Sequence, residues 1–218
     1  MNFRWVLILL LCLQAPTFAS VETTGEKSGD DTVLDFNVYL NNKKVGKHLF
    51  TVSESGGEKQ VRSNANFDYK ILFVSAYQYE HSAAEHWIGD CLAEIDADTN
   101  ANGKRLQVSG SQGATGFLVE KGDEPVELPK CVMTFAYWNA EILEQPKLLN
   151  PQTGEYLDIR VEKGGNEILK VRGKPVNATR YKLAASEVDL TIWYSADKEW
   201  LALESIAKGG HVIRYELS

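Results

Sequence analysis

The chain has 218 residues, with 30 acidic and 23 basic side chains and a formal net charge of −7 at neutral pH. This length is sufficient for one domain with a sizeable hydrophobic core. The acidic balance and the lack of a basic cluster argue against binding to nucleic acids or to anionic membrane surfaces. No nucleic-acid partner is therefore expected.

The first 19 residues have the layout of a cleavable secretory signal peptide. Arg4 precedes an apolar run from Trp5 to Leu13, Pro16 interrupts it, and Ala19 supplies a small residue at the cleavage position. An uncleaved membrane anchor is the alternative, but the run is shorter than the ~20 residues that span a bilayer. We expect a periplasmic or secreted protein with no stable transmembrane segment after cleavage.

Residues 20–31 are polar and aperiodic, which predicts a flexible leader. From residue 32, apolar side chains recur at every second position. In "LDFNVYL", Leu34, Phe36 and Val38 alternate with polar residues, and "NNKKVG" then marks a hairpin turn. The run "QVRSNANFDYKILF" alternates similarly, as antiparallel strands with one buried face do. These patterns predict a single β domain over residues 32–218.

The C-terminal half continues as short strands. They are separated by the turn-like stretches "KGGN", "GKPVN", "SADK" and "KGG". The gaps are too short for the helices of a doubly wound α/β fold. The pattern predicts a mainly β protein with one curved antiparallel sheet in meander order, forming a half-barrel or open barrel.

The segment "CVMTFAYWNAEILEQPKLLNPQTGE" interrupts the alternation. Its composition predicts one or two short helical segments, with Asn139 as an N-cap and Pro146 as the terminator. Because this stretch is apolar on more than one side, we expect it to pack against the concave face of the sheet and to meet the strand from Tyr77 to Trp87.

Two cysteines remain once the signal peptide is removed. In an oxidising compartment, the pair Cys91 and Cys131 predicts a disulfide bond. Two buried free thiols are the alternative. A zinc site is disfavoured because neither cysteine has a second cysteine or a histidine at ligand spacing.

Several stretches together carry a resemblance to a known family: "CVMTFAYWN", "LLNPQTGEYLDIRV", "VNATRYKLA", "DLTIWYSADKEWLALES" and "HVIRYEL". In that order they resemble an uncharacterised family of exported bacterial proteins, a domain of unknown function, over most of residues 33–218. More loosely, the chain is similar to periplasmic lipoprotein-carrier half-barrels, whose curved sheets enclose a hydrophobic concavity plugged by helices. The resemblance implies a location in the Gram-negative envelope, and it implies no activity or catalytic residue.

The densest group of candidate ligands is His81, Glu85, His86 and Asp90. On a strand, His86 points away from His81, and Glu85 lies two pleats from His81. This geometry disfavours a metal site, and the run is interpreted as a half-exposed strand. The chain lacks a GxSxG nucleophile elbow and a phosphate-binding loop. No catalytic residue, metal or cofactor is predicted, and enzymatic activity is not expected.

Aromatic side chains are the remaining candidates for a binding site. A partly wet apolar cavity is typically lined by aromatic rings with polar tips. The predicted ligand-binding residues are Tyr77, Tyr79, Trp87, Phe135, Tyr137 and Trp138. The alternative is that these rings are ordinary core.

Two classes of function follow from these patterns. The first is a non-enzymatic binder or carrier of an apolar or amphipathic molecule, such as a lipid, in the concavity of the sheet. The second is a structural or partner-binding envelope protein with a filled core and no ligand. The sequence does not specify a protein partner.

Overall fold

The computed structural model describes residues 31–218, except residues 72–73, 122–123, 187 and 208–209. The predicted signal peptide and nearly all of the predicted leader lie outside the described residues. The described part of the chain is built mainly from antiparallel strands, as the alternation predicts. No helix within it is long and apolar enough to cross a membrane.

The first half of the domain is a continuous meander of eight strands. Each strand pairs antiparallel with the next one in the chain. The strands are β1 (Thr32–Leu40), β2 (Lys43–Ser55), β3 (Glu58–Ile71), β4 (Val74–Ile88), β5 (Cys91–Ala101), β6 (Lys104–Gln112), β7 (Phe117–Lys121) and β8 (Glu124–Leu128).

A short two-stranded sheet and a second meander follow. The short sheet pairs β9 (Lys147–Leu149) with β10 (Tyr156–Asp158). The second meander contains β11 (Arg160–Val171), β12 (Lys174–Ala184), β13 (Asp189–Tyr194), β14 (Trp200–Ala207) and β15 (His211–Leu217).

The first and last strands join the two meanders. β1 pairs antiparallel with β15, with Phe36 opposite Leu217 and Leu40 opposite Ile213. The result is one 13-stranded sheet with β8 at one end and β11 at the other. The described strands form no pair between β8 and β11, so the sheet is open rather than closed into a barrel. This is the open antiparallel architecture that the sequence predicts.

Side-chain alternation sets which face of the sheet is buried. Leu34, Phe36 and Val38 of β1 are 5%, 0% and 0% exposed, because every second residue of a strand points to the same face. The hairpin that follows turns at Asn41 and Asn42, both with positive φ, at 47° and 67°. Asparagine tolerates this conformation well, which explains why the "NN" pair marks the turn.

The predicted turn at "KGGN" is wrong. β11 runs continuously from Arg160 to Val171, and its pairing with β12 shifts register between Lys163 and Asn166. The two glycines therefore form a bulge within a strand, a frequent role of glycine in sheets. A Cβ atom on Gly164 would lie 2.9 Å from Nε and 3.2 Å from the carbonyl oxygen of Arg180, so a side chain there would require the Arg180 side chain to move.

The chain between the two meanders, which we call the inner segment (residues 129–159), packs on the buried face of the sheet. Its core side chains include Met133, Ile142, Leu148 and Leu149, each at most 2% exposed. It contacts both meanders: the amide of Leu92 donates to the carbonyl of Val132 at 2.9 Å. On the other side, the Tyr194 hydroxyl donates to the carbonyl of Tyr137 at 2.8 Å. The predicted location of this segment is confirmed.

The prediction of helical segments is wrong. The described residues contain no α-helix, and the inner segment has one five-residue 3-10 helix, Ala140–Glu144, capped by Asn139. The reason is that backbone amide and carbonyl groups of this segment bond to residues distant in the sequence rather than to residues one helical turn away. The amide of Phe135 donates to the carbonyl of Leu149, and the amide of Leu149 donates to the carbonyl of Met133. These ladder-like bonds replace those that a helix would form within itself.

A disulfide bond joins Cys91 and Cys131, as predicted from the cysteine pair. The two residues are 40 positions apart in the sequence, and their Cα atoms are 4.8 Å apart. Cys91 begins β5 and Cys131 lies near the start of the inner segment. The bond therefore fixes the entry of the inner segment against the sheet.

Candidate ligand cavity

The inner segment covers only part of the buried face, and a cavity of about 300 Å³ remains beside it. Strands from both meanders form its walls, and the inner segment closes one side. Lining residues from the first meander include His48, Phe50, Ser63, Phe67, Tyr79, His81 and Glu85. Those from the inner segment and the second meander include Phe135, Tyr137, Trp138, Val188, Leu203, Ile213 and Tyr215.

The cavity follows the direction of β4. Its inward side chains from Tyr77 to Glu85 all line the cavity. At about 3.3 Å per residue, these eight steps span roughly 26 Å. Tyr77 is 39% exposed, whereas His81, Ala83 and Glu85 are 7%, 7% and 8% exposed and Trp87 is completely buried. We therefore call the Tyr77 end of this wall the mouth of the cavity and the Glu85 end its deep end.

Five of the six predicted binding residues line this cavity: Tyr77, Tyr79, Phe135, Tyr137 and Trp138. Trp87 does not line it and is completely buried beyond Glu85 on the inward face of β4. Its ring stands perpendicular to that of Trp138, with centroids 5.4 Å apart. Whether these residues bind a ligand stays a prediction, but the structure brings them together as the sequence analysis expects.

Glu85 is a buried carboxylate in the cavity wall. Its Oε2 atom accepts a hydrogen bond from Nε1 of Trp87 at 3.0 Å, and the Thr134 hydroxyl also donates to the carboxylate. Burial removes the carboxylate from water and raises the pKa of Glu85 from 4.5 to about 7, although the two hydrogen bonds oppose this shift. A group with this pKa exchanges a proton readily near neutral pH.

Two histidines lie between Glu85 and the mouth. Nε2 of His48 is 2.7 Å from the Ser63 hydroxyl, and Nδ1 of His81 is 2.8 Å from the Thr99 hydroxyl. Desolvation lowers the pKa of His48 to about 3, with a smaller contribution from neighbouring His81. Desolvation also lowers the pKa of His81 to about 4. Both imidazoles are therefore neutral at physiological pH and serve as hydrogen-bonding groups.

The "YEHSAAEHWIGDC" run begins as a half-exposed strand, as the sequence analysis expects, with one buried face and one exposed face. His81 and Glu85 are buried in the cavity wall, at 7% and 8% exposure. His86 points to the outer face, as predicted, where its Nε2 lies 2.9 Å from Glu58. Among the described residues, no three His, Cys, Asp or Glu side chains are grouped to hold a metal ion.

The pair formed by Ser63 and His48 has the spacing of a nucleophile and its base, but its other properties disfavour acyl transfer. A histidine with a pKa of about 3 is a weak base at neutral pH. Its second nitrogen faces the Tyr215 hydroxyl at 3.4 Å, where a catalytic triad would place a carboxylate. The pair is therefore poorly arranged for acyl transfer.

The sequence analysis missed His48, Ser63, Glu85 and Tyr215 as cavity residues. His48 alternates with Phe50 on β2, and this two-residue period was the available signal that His48 faces inward. Tyr215 arrives beside β1 only through the pairing of the first and last strands. No local pattern in the sequence indicates that pairing.

Comparisons with known proteins agree with this architecture. The model of the family described as Domain of unknown function (DUF6134) matches residues 36–218. Among solved structures, the chain is similar to a β-barrel-like protein of Domain of Unknown Function DUF1849 from Brucella abortus. That likeness has a TM-score of 0.61 and 9% sequence identity, and covers 85% of this chain and 96% of the other. At 9% sequence identity, this likeness is evidence about the fold alone. No curated protein matches the sequence.

Proposed function

This chain belongs to the DUF6134 family, a domain of unknown function, and we propose that it binds an apolar or amphipathic small molecule in the cavity along β4. The observation that carries this proposal is the cavity itself. It is about 300 Å³ in volume and is walled by aromatic and aliphatic side chains, with a few buried polar groups. Small-molecule sites in proteins typically combine these features.

The dimensions of the cavity favour a molecule with one extended chain. The space follows the β4 side chains from Tyr77 to Glu85, a length of roughly 26 Å along an extended strand. A bulky, compact ligand of the same volume would not use this length. A single lipid-like chain entering beside Tyr77 would bury its apolar surface against Phe67, Tyr79 and Phe135.

The proposed site of action is an oxidising, extracytoplasmic compartment such as the periplasm. Two features support this location: the signal-peptide layout of residues 1–19, and the disulfide between Cys91 and Cys131. In that compartment, a protein with a lipid-sized cavity would carry or hold an envelope molecule without changing it chemically.

A structural role with a filled core is the second candidate. It is favoured by the inner segment, where Met133, Ile142, Leu148 and Leu149 are almost completely buried and occupy much of the space on the buried face. On this hypothesis the remaining cavity would be a packing defect. The two candidates therefore differ in one measurable property, the occupancy of the cavity.

Native mass spectrometry of gently purified protein tests occupancy directly, and fluorescence of the neutral dye Nile red measures access to the cavity. The blocking variant is Ala83→Leu, because Ala83 lines the cavity midway along β4. The matched control is Ala84→Leu, one residue further on, where the side chain is on the exposed face. We expect Ala83→Leu to remove dye binding and any co-purified molecule, and Ala84→Leu to keep both. Equal dye binding by the two variants would contradict the proposal.

A further inference from the structure

The described part of the cavity wall contains an acidic side chain but no lysine or arginine. Among the described residues that line it, Glu85 is the sole carboxylate. Cavities that hold the acidic end of a lipid need a basic side chain or a set of donors, because an unpaired buried anion is strongly unfavourable. An anionic ligand group in this cavity would instead lie beside a buried carboxylate.

The carboxylate at the deep end has unused capacity to accept hydrogen bonds. A carboxylate has about four lone-pair positions, and Glu85 uses two of them, for Trp87 and Thr134. The indole and the hydroxyl are both uncharged donors, so they orient the carboxylate without neutralising it. A ligand cation could complete the set of partners and supply the missing opposite charge.

The surroundings of Glu85 also suit a cation. The ring of Trp138 lines the cavity and packs perpendicular to Trp87, the residue that donates to Glu85. The electron-rich faces of tryptophan and tyrosine rings attract ammonium groups, most strongly where water is excluded. His81 lies nearer the mouth, where its Nδ1 faces the Thr99 hydroxyl and its Nε2 can face an N–H donor without adding positive charge.

We propose that the cavity selects amphiphiles whose polar end is a protonated amine, bound at the deep end by the Glu85 carboxylate with the apolar chain directed toward Tyr77. This inference rests on the proposed function, since it requires that the cavity admits a ligand. Selection against an acidic end is part of it: a carboxylate placed there would face Glu85 with no basic residue to offset the repulsion.

A competition series separates the two proposals. Wild-type protein is loaded with Nile red, and decylamine, decanol and decanoate are titrated against it at about pH 8.5, where Glu85 is ionised and the amine is still protonated. All three are kept below the concentrations at which they form micelles. The three molecules share one apolar chain and differ in the charge of the polar end. We expect decylamine to displace the dye at concentrations roughly tenfold or more below those of decanoate, with decanol in between.

Glu85→Gln tests the assigned counter-ion, since glutamine keeps the shape of glutamate and removes its charge. We expect this variant to lose the preference for decylamine over decanol while still binding Nile red. The matched control is Glu80→Gln, which removes a carboxylate from the exposed face of the same strand and should keep the wild-type ranking.

The outcomes are distinguishable. If Nile red binds and all three compounds displace it equally, or decanoate displaces it best, the cationic selectivity is wrong and the cavity proposal stands. If Nile red does not bind, or none of the three compounds displaces it, both proposals fail. The wild-type ranking alone decides the selectivity if Glu85→Gln does not fold, and a Glu85→Gln variant that folds and keeps the amine preference overturns the role of Glu85.

Discussion

The indole of Trp87 meets the indole of Trp138 edge to face, with ring centroids 5.4 Å apart. Trp87 is completely buried and belongs to the sheet, whereas Trp138 belongs to the inner segment and lines the cavity. The contact therefore marks the place where the inner segment stops filling the buried face and the cavity begins. The disulfide between Cys91 and Cys131 anchors the same two parts of the chain a few residues away.

Removal of the disulfide should destabilise the domain. A cross-link between residues 40 positions apart restricts the unfolded chain, and the chain-entropy model gives about 4 kcal/mol for a loop of this size. Urea denaturation of Cys91→Ala/Cys131→Ala should show a loss of this order, and a reductant should destabilise the wild type but not the variant. Two alkylatable thiols in protein recovered from the periplasm would contradict the bond.

Trp138→Ala distinguishes a cavity wall from a core. Because Trp138 is half-buried and faces the cavity, we expect a loss of less than about 2 kcal/mol in the free energy of unfolding and a strong loss of Nile red binding. Trp200→Ala is the contrasting variant: Trp200 is 1% exposed, and its truncation should cost roughly 3–5 kcal/mol. Thermal melts and dye titrations measure both. A Trp138→Ala variant with unchanged stability and unchanged dye binding would show that Trp138 belongs neither to the core nor to a ligand site.

The sequence predicts the strands well because alternation depends only on neighbouring residues. In β1 and β3, the side chains that share the period of two are those that become buried, such as Phe36 and Val61. The extended conformation of the inner segment at Met133 and Phe135 was not predictable in the same way. It depends on hydrogen bonds between these residues and Leu149, a distant partner that no local pattern indicates.

The composition of the cavity was only half predictable. Aromatic residues such as Tyr79 and Trp138 indicate a cavity or a core by their type alone. The burial of Glu85 runs against the usual preference of glutamate for the surface. It depends on the Trp87 indole and the Thr134 hydroxyl being in place as donors. Thr134 reaches Glu85 only because the inner segment folds back on the sheet.

The two buried histidines should make the domain less stable in mild acid. Burial holds the pKa of His48 near 3 and that of His81 near 4, whereas a histidine in the unfolded chain takes up a proton near pH 6.5. Between about pH 6.5 and 4, unfolding therefore binds protons and stability falls as pH falls. The slope is at most about 1.4 kcal/mol per pH unit for each histidine.

Urea denaturation at a series of pH values measures this slope. His48→Asn should remove about half of the histidine contribution, and His48→Asn/His81→Asn should remove nearly all of it. An unchanged slope in the double variant would mean that both imidazoles are solvated in the folded protein, contrary to their buried positions in the cavity wall.

Glu85 should have the opposite pH dependence. The unfolded chain loses the Glu85 proton near pH 4.5, whereas the folded protein keeps it until about pH 7, because burial disfavours the charged form. Between these values unfolding releases a proton, so the contribution of Glu85 is most favourable below pH 4.5. It declines as pH rises and is lower by roughly 3 kcal/mol above pH 7.

Glutamine does not titrate, so the stability of Glu85→Gln relative to the wild type should increase by roughly 3 kcal/mol between pH 4.5 and 7.5. This relative measurement cancels the histidine contributions, which both proteins share. Glu80→Gln, on the exposed face of the same strand, controls for the loss of one negative charge. If the difference between Glu85→Gln and the wild type stays constant across this range, Glu85 titrates as a solvated carboxylate, and the deep end of the cavity is open to water.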